Sequence, residues 1–418
     1  MRPNMQVNLK ATLSDPRLDI SQNSNQRQLA VSIAALADAT GSSQLPLNLG
    51  LILDCSGSMK GLPLETVKQA AQQLIYQLRP HDRLSVVSFD HQAKTVIPNQ
   101  LVGADPSVLA NRINNLQAGG GTSIDEGIRL GIREINATPS EGTAHAFILT
   151  DGENEHGDND RCITLAANSN KDKITLHTLG FGEHWNQNIL EKIADVAGGT
   201  LAYIEKPQNA IAEFGRIFSR IQSVGLNNAY LQITLQPRVR LAELKPIAQV
   251  APDTIELPVQ TEGDRFLIRL GDLMTNIPRV VLLNIYAGQF PPGLQPLMNL
   301  QVSYDDPTLG KNGLQSDAVT VSSEAVAGWQ ATPDASVQQY ALALAKYRQT
   351  QLAEQKLQQG DRSGAATMLQ TAAKTALQMG DVGGATVLQS SATQLQSGQD
   401  LSESDKKKTR IVSKTILQ

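Results

Sequence analysis

Three short stretches of this chain concentrate oxygen donors: Asp54-Cys55-Ser56-Gly57-Ser58, Gly119-Gly120-Gly121-Thr122-Ser123 and Thr150-Asp151-Gly152. The first follows the apolar run LNLGLIL, so one carboxylate and two hydroxyls project from a single turn that Gly57 lets close. The second offers the Thr122 hydroxyl from a glycine-rich turn that opens a helix. The third ends the strand AHAFILT with the Asp151 carboxylate. Asp54, Ser56, Ser58, Thr122 and Asp151 thus make an all-oxygen donor set, which suits a hard divalent cation that keeps waters where the protein supplies few charges. Mg²⁺ is the expected ion, with Mn²⁺ and Ca²⁺ as alternatives, and zinc and copper are disfavoured. Each stretch alone says little, because a Ser or Asp after a strand more often caps a helix. All three together stand in order within one α/β unit, at the strand ends where ligands collect.

Other chemistries compete for the same region. A metal-dependent hydrolase would need a general base beside the ion, and His145, His156, His177 and His184 lie nearby in sequence, with His156 and Glu155 of the loop ENEHGDND as the best candidates. Loop histidines without a partner motif are more often surface polar groups, so no catalytic residue is assigned and the chain is read as a non-enzyme. No G-x-x-x-x-G-K-[ST] sequence occurs. Work with a chelatase or AAA+ type ATPase would therefore make this chain an accessory subunit. The stretch GENEHGDNDR has oxygens enough for a calcium-type site but lacks EF-hand spacing, and reads as a solvated loop.

The elements that must position these groups follow from periodicity. Residues 1–40 contain two alternating runs, VNLKATL and QLAVSIAAL, which read as antiparallel strands without partners of their own. Residues 41–225 alternate apolar strands with amphipathic helices, as a doubly wound parallel sheet requires. Residues 226–328 read as strands broken by Pro and Gly, a β-sandwich that the opening strands are expected to join. Residues 329–400 turn rich in Ala, Leu and Gln, and GDRSGAATMLQTA is echoed by GDVGGATVLQSSA, giving a three-helix bundle or short array. Residues 401–418 form a charge run expected to be a flexible tail, in which Thr409 has the form of a phosphosite for a phosphothreonine-reading partner.

Composition bounds the rest. With 36 Lys+Arg against 40 Asp+Glu, the net charge of −4 over 418 residues gives no field for nucleic acid. Hydrophobic residues at 40% supply real cores, and aromatic residues at 4% make them aliphatic. No apolar run reaches the length of a membrane span, and the N-terminus lacks the apolar stretch of a secretion signal. Cys55 and Cys162 are too few for a disulfide framework. A cytoplasmic protein is expected.

The segments DCSGS, GGGTS and LTDGE together resemble the metal-ion-dependent adhesion site of von Willebrand factor A domains, and TLGFGEHWNQNILEKIADVAGGTLAYIE resembles the later part of bacterial members. The likeness covers about 45–224, and the flanking parts are similar to bacterial multi-module A-domain proteins. What it implies is direct ligation by Ser56, Ser58 and Thr122, with Asp54 and Asp151 holding coordinating waters or serine hydroxyls. It further implies a protein partner whose Asp or Glu carboxylate completes the shell, and a switch coupled to the last helix of the domain.

Overall fold

A computed structural model describes residues 6–36, 45–138, 142–275 and 277–414. The alternating runs at the start of the chain form β1 (Gln6–Leu13), β2 (Arg17–Asp19) and β3 (Ser24–Leu36). β1 and β3 pair antiparallel, with Leu9 opposite Ile33 and Leu13 opposite Leu29.

The α/β unit begins with β4 (Leu47–Asp54), α1 (Leu62–Gln77), β5 (Arg83–Phe89), β6 (Ala93–Leu101), α2 (Ser107–Ile113) and α3 (Ile124–Asn136). It continues through β7 (Thr143–Thr150), α4 (Asn159–Ser169), β8 (Ile174–Phe181), α5 (Gln187–Ala197), β9 (Leu201–Ile204) and α6 (Ala210–Gln222). The sheet order is β6-β5-β4-β7-β8-β9. Its neighbours run parallel except β6, which returns antiparallel to β5. β4 and β8 are buried at every position, the mark of strands covered on both faces. Leu49, Phe147, Phe214 and Phe218 share one core, and Ile52, Ile128, Ile148 and Leu190 share the other. Each such side chain contributes about 1.5–3 kcal/mol on burial. Because β4 sits between β5 and β7, the direction of winding reverses there, and the crevice outside its carboxyl end is where such sheets hold ligands.

Helix α3 lies unusually close to the sheet. A Cβ on Gly127 would fall 2.7 Å from Phe89 Cδ1, and one on Gly131 would fall 2.3 Å from Ile52 Cδ1. The two glycines, four residues apart on one helical face, therefore set the depth of the helix that begins just after Thr122.

The second unit holds the flanking strands and the C-terminal helices. Its strands after α6 are β10 (Val224–Leu235), β11 (Val239–Leu241), β12 (Ile247–Ala251), β13 (Ile255–Glu256) and β14 (Gln260–Glu262). They continue as β15 (Arg265–Met274), β16 (Arg279–Gly288), β17 (Gly293–Asp306), β18 (Lys311–Gln315) and β19 (Val319–Val326). β3 pairs antiparallel with β16 from Ser24 opposite Gly288 to Ile33 opposite Arg279, and β2 pairs parallel with β19. The opening and later strands thus share two sheets, and the α/β elements lie between them in sequence.

The helices are α7 (Ala335–Gln358), α8 (Arg362–Gln378), α9 (Val382–Gln396) and α10 (Glu403–Lys414). The repeat expresses one capping device twice: Gly360 and Gly380 turn left-handed, and Asp361 and Asp381 accept from the Gly364 and Gly384 amides at 2.8 Å. Two expectations are corrected here. The bundle has a fourth helix, and the charge run supplies it: α10 packs on α7 and α9. Thr409 is 3% exposed, with Oγ1 3.0 Å from Ser391 Oγ, so it is not presented to a phosphothreonine reader. The sequence misleads because the inward face of α10 is polar, with Ser404, Lys407, Thr409 and Ser413 buried.

In the α/β unit two histidines belong to the core. His145 Nδ1 lies 3.3 Å from His177 Nε2, and the rings stack with centroids 5.5 Å apart. His177 Nδ1 accepts from the Thr200 amide at 3.2 Å, which puts its proton on Nε2, facing His145. Burial, then the neighbouring His145 and the Arg220 and Arg216 charges, hold His177 well below the ordinary 6.5. The unfolded chain takes up this proton near 6.5 and the folded one does not, so stability is intact above that pH and falls as pH drops below it.

Two outcomes follow from this packing. Gly127→Ala should destabilise the protein by about 1–3 kcal/mol through overpacking, against a helix-propensity gain of about 1 kcal/mol. Urea titration reads the balance, and a neutral or stabilised variant would contradict the close approach of α3. Between pH 6.5 and 5, His177→Gln should remove a stability slope of up to ~1.4 kcal/mol per pH unit. Equal slopes in the variant and the wild type would contradict a neutral buried imidazole.

Candidate metal centre

The last residue of β4 is Asp54, and its carboxylate is fully buried. Oδ1 accepts from the Ser56 amide at 2.7 Å, which closes the turn, and Oδ2 accepts from Thr150 Oγ1 at 2.5 Å, at the end of the adjacent strand β7. Burial pushes its carboxyl up to about 6; the Thr150 and Ser56 hydrogen bonds oppose that rise, and the nearby Asp151 charge adds to it. Ser56 Oγ stands 3.0 Å from Ser58 Oγ, and Ser58 Oγ donates to Asp151 Oδ1 at 2.7 Å. Burial also raises Asp151, with the Ser58 hydroxyl as the main opposing contact.

Backbone bonds fasten the three loops together. The Gly57 amide donates to the Gly120 carbonyl at 3.0 Å and the Gly119 amide to the Cys55 carbonyl at 2.8 Å. The Ser123 amide reaches the Asp90 carbonyl at 2.8 Å, which ties the glycine run to the turn after β5. A Cβ on Gly152 would lie 3.3 Å from Thr122 Oγ1, so the threonine hydroxyl is seated against the Asp151-Gly152 turn. All five residues read from the sequence therefore meet at the carboxyl ends of β4 and β7. Asp54, Ser56 and Thr122 are buried, Asp151 is half-buried and Ser58 is exposed, which leaves the set open on one side.

The donor chemistry fits a hard cation. Three hydroxyls and two carboxylates face one region, and among the described residues neither Asp54 nor Asp151 forms an ion pair with Lys or Arg. Two carboxylates raised by burial, with only the His184 charge acting on Asp151, are an arrangement that a divalent ion would stabilise. Among the described residues no group of three or more His, Cys, Asp and Glu side chains converges, so they offer no nitrogen- and sulfur-rich set of the kind zinc prefers.

Two of the four histidine candidates lie in the core, whereas His156 packs on Gly121 beside Thr122 and His184 acts on Asp151 through its charge. His145 stands six residues before Asp151 on β7, about 20 Å along an extended strand, and His177 is its core partner. Two side chains of the loop after Asp151 have their oxygens committed. Asn154 Oδ1 accepts from the Ile124 amide at 2.7 Å, and Asp158 accepts from the Asp160 and Arg161 amides to cap α4. Arg161 pairs with Asp125 at 2.8 Å and Glu126 at 2.7 Å. Cys55 and Cys162 are buried thiols, each pushed up to about 12 by desolvation. Sequence reasoning missed Thr150 and Asn154. A hydroxyl directly before Asp151 was the available signal for the first, and nothing local marked the second as a clasp on α3.

Comparison with known proteins agrees with this architecture. The von Willebrand factor type A domain family model matches residues 48–216, and that of the Sll0103-like, C-terminal alpha-helical domain matches residues 335–418. The Synechocystis sp. protein sll0103 is 54% identical over 414 residues, covering 99% of this chain and 98% of that protein. Rat inter-alpha-trypsin inhibitor heavy chain H3 is 26% identical over 199 residues, 45% of this chain and only 22% of the heavy chain. Among solved structures, a von Willebrand factor type A protein from Catenulispora acidiphila superposes with a TM-score of 0.82 at 18% identity, covering 100% of this chain and 98% of that one. The ArnB paralog VWA2 from Sulfolobus acidocaldarius gives 0.58 at 14% identity, covering 98% of each chain. The structural likenesses speak for the fold, and the long, high-identity match speaks for descent: the chain belongs to the sll0103 family, which joins a von Willebrand factor type A domain to an Sll0103-like C-terminal helical domain.

Proposed function

We propose that this protein is a cation-dependent binding module, in which the loops after β4, before α3 and after β7 hold Mg²⁺, or Mn²⁺ or Ca²⁺ in its place, and a partner protein is held through an Asp or Glu carboxylate. The observation that carries the reading is the run of oxygens Ser56 Oγ, Ser58 Oγ and Asp151 Oδ1, spaced 3.0 and 2.7 Å and backed by the buried Asp54. Ser56, Ser58 and Thr122 are the direct ligands in this reading, while Asp54 and Asp151 orient hydroxyls and waters. The ion, when bound, supplies an electrophilic position for the partner's carboxylate. The exposed Ser58 marks the side from which that carboxylate would approach.

Binding rather than catalysis is favoured by what surrounds the oxygens. Two of the four candidate histidines are stacked in the core, His156 packs on the Gly121 backbone, and His184 acts on Asp151 through charge, with neither carboxylate at hydrogen-bond distance from an imidazole among the described pairs. Among the described residues no helix is long and apolar enough to cross a membrane. Two buried, free thiols accord with a reducing compartment, and we place the protein in the cytoplasm on that ground.

Mass action gives the first test. Mg²⁺ or Mn²⁺ at a hundred times its Kd should stabilise the full chain by about 2.7 kcal/mol. Asp54→Ala should abolish that gain, and an undiminished thermal shift in this variant would remove the site assignment. Acidity gives the second. A raised Asp54 carboxyl favours the ion-free fold at low pH, a contribution lost as pH rises through about 6, where the carboxylate forms and the cation takes over. The Mn²⁺-induced rise in Tm should therefore be large at pH 7.5 and small at pH 5, and a rise independent of pH would contradict a role for Asp54. A pull-down comparing wild type and Asp54→Ala, each with Mg²⁺ and with chelator, tests the partner: capture that survives both changes would contradict carboxylate ligation.

A further inference from the structure

The hydroxyl of Thr122 is carried by three consecutive glycines, the most mobile backbone the chain could use. A ligand on such a loop loses much conformational freedom when it is fixed, unless something already holds the loop. Two imidazoles stand in that position. A Cβ on Gly121 would lie 2.4 Å from both Cε1 and Nδ1 of His156 and 3.1 Å from Nε2, so the ring lies flush on the Gly121 backbone. The His156 amide also donates to the Thr122 carbonyl at 3.0 Å. On Gly120, whose φ is +79°, a Cβ would meet His91 Nδ1 at 2.6 Å. His91 Nδ1 is in turn 3.2 Å from Asp90 Oδ1, and the Asp90 carbonyl accepts the Ser123 amide. The glycines thus allow ring-to-backbone contacts that any side chain at either position would prevent.

We propose that His156 and His91 are positioning residues that clamp the glycine run and so hold the Thr122 hydroxyl at the cation site; the link to the ion rests on the cation reading above. Both are exposed residues on loops, so they can be replaced without opening a core. The clamp works through the flat ring and not through a titrating nitrogen, which separates it from a general-base role. It also gives the loop after Asp151 a task that its charge and polarity do not reveal.

The test uses the full chain, Mn²⁺ binding followed by electron paramagnetic resonance, and amide hydrogen exchange of the metal-free protein. His156→Ala should weaken Mn²⁺ by about 10-fold, the scale on which residues supporting a ligand act. His156→Phe, which keeps a flat ring, should restore affinity. In a Thr122→Ala background His156→Ala should cause no further loss, because both changes remove the same contribution. In the metal-free protein the amides of residues 121–123 should exchange faster in His156→Ala and in His91→Ala but not in His156→Phe. Unchanged exchange in both alanine variants overturns the clamp, as does an additive loss of Mn²⁺ affinity in the double variant. If the wild type binds no Mn²⁺ the cation reading fails instead, and the exchange arm still judges the clamp.

Discussion

A carboxylate removed from water at the end of the central strand governs this site. Asp54 is fully buried, and its two oxygens are matched by one amide and one hydroxyl, with no cation among the described residues to neutralise it. Desolvation of this kind disfavours charge, which is why the group is lifted to about 6. The proton it takes up at low pH and the divalent ion proposed at neutral pH answer the same electrostatic need. Ser56, Ser58 and Asp151 are arranged around that need: the turn is closed by the amide that Asp54 accepts, and Ser58 hands the polarity on to the second carboxylate.

The fold brings these groups together through topology more than through local sequence. β4 lies between β5 and β7, so the ends of β4 and β7 and the turn after β5 arrive side by side although they are far apart in the chain. Glycine does the rest at two places. Gly127 and Gly131 let α3 settle deeply on Phe89 and Ile52, and Gly120 and Gly121 let the loop ahead of α3 pass beneath His91 and His156. The same chain uses glycine differently in the C-terminal unit, where Gly360 and Gly380 end helices and Asp361 and Asp381 start the next ones.

Much of this was legible from residue types and period. Asp54, Ser56, Ser58, Thr122 and Asp151 stand at strand ends and helix starts, where polar residues interrupt strong apolar patterns, and the repeat at Gly360 and Gly380 announces its caps directly. Contacts between distant residues were not legible. Thr150 is read locally as a strand residue, and only its neighbour β4 makes it a donor to Asp54. His145 and His177 are near the motif in sequence, but their positions in wholly or nearly buried strands turn them into each other's partners. The stretch after Leu401 fails for another reason: α10 buries Ser404, Lys407, Thr409 and Ser413, so no apolar stripe announces that it docks.

Membership of the sll0103 family and the shared von Willebrand factor type A fold give the arrangement its setting, while the ion and the partner are claims about chemistry. Anomalous scattering from crystals of the full chain soaked in Mn²⁺ at neutral pH tests the central one most directly. The account predicts a single strong peak at about 2.1 Å from the Ser56 and Ser58 hydroxyl oxygens. A peak elsewhere, or none at these oxygens under saturating Mn²⁺, would contradict it.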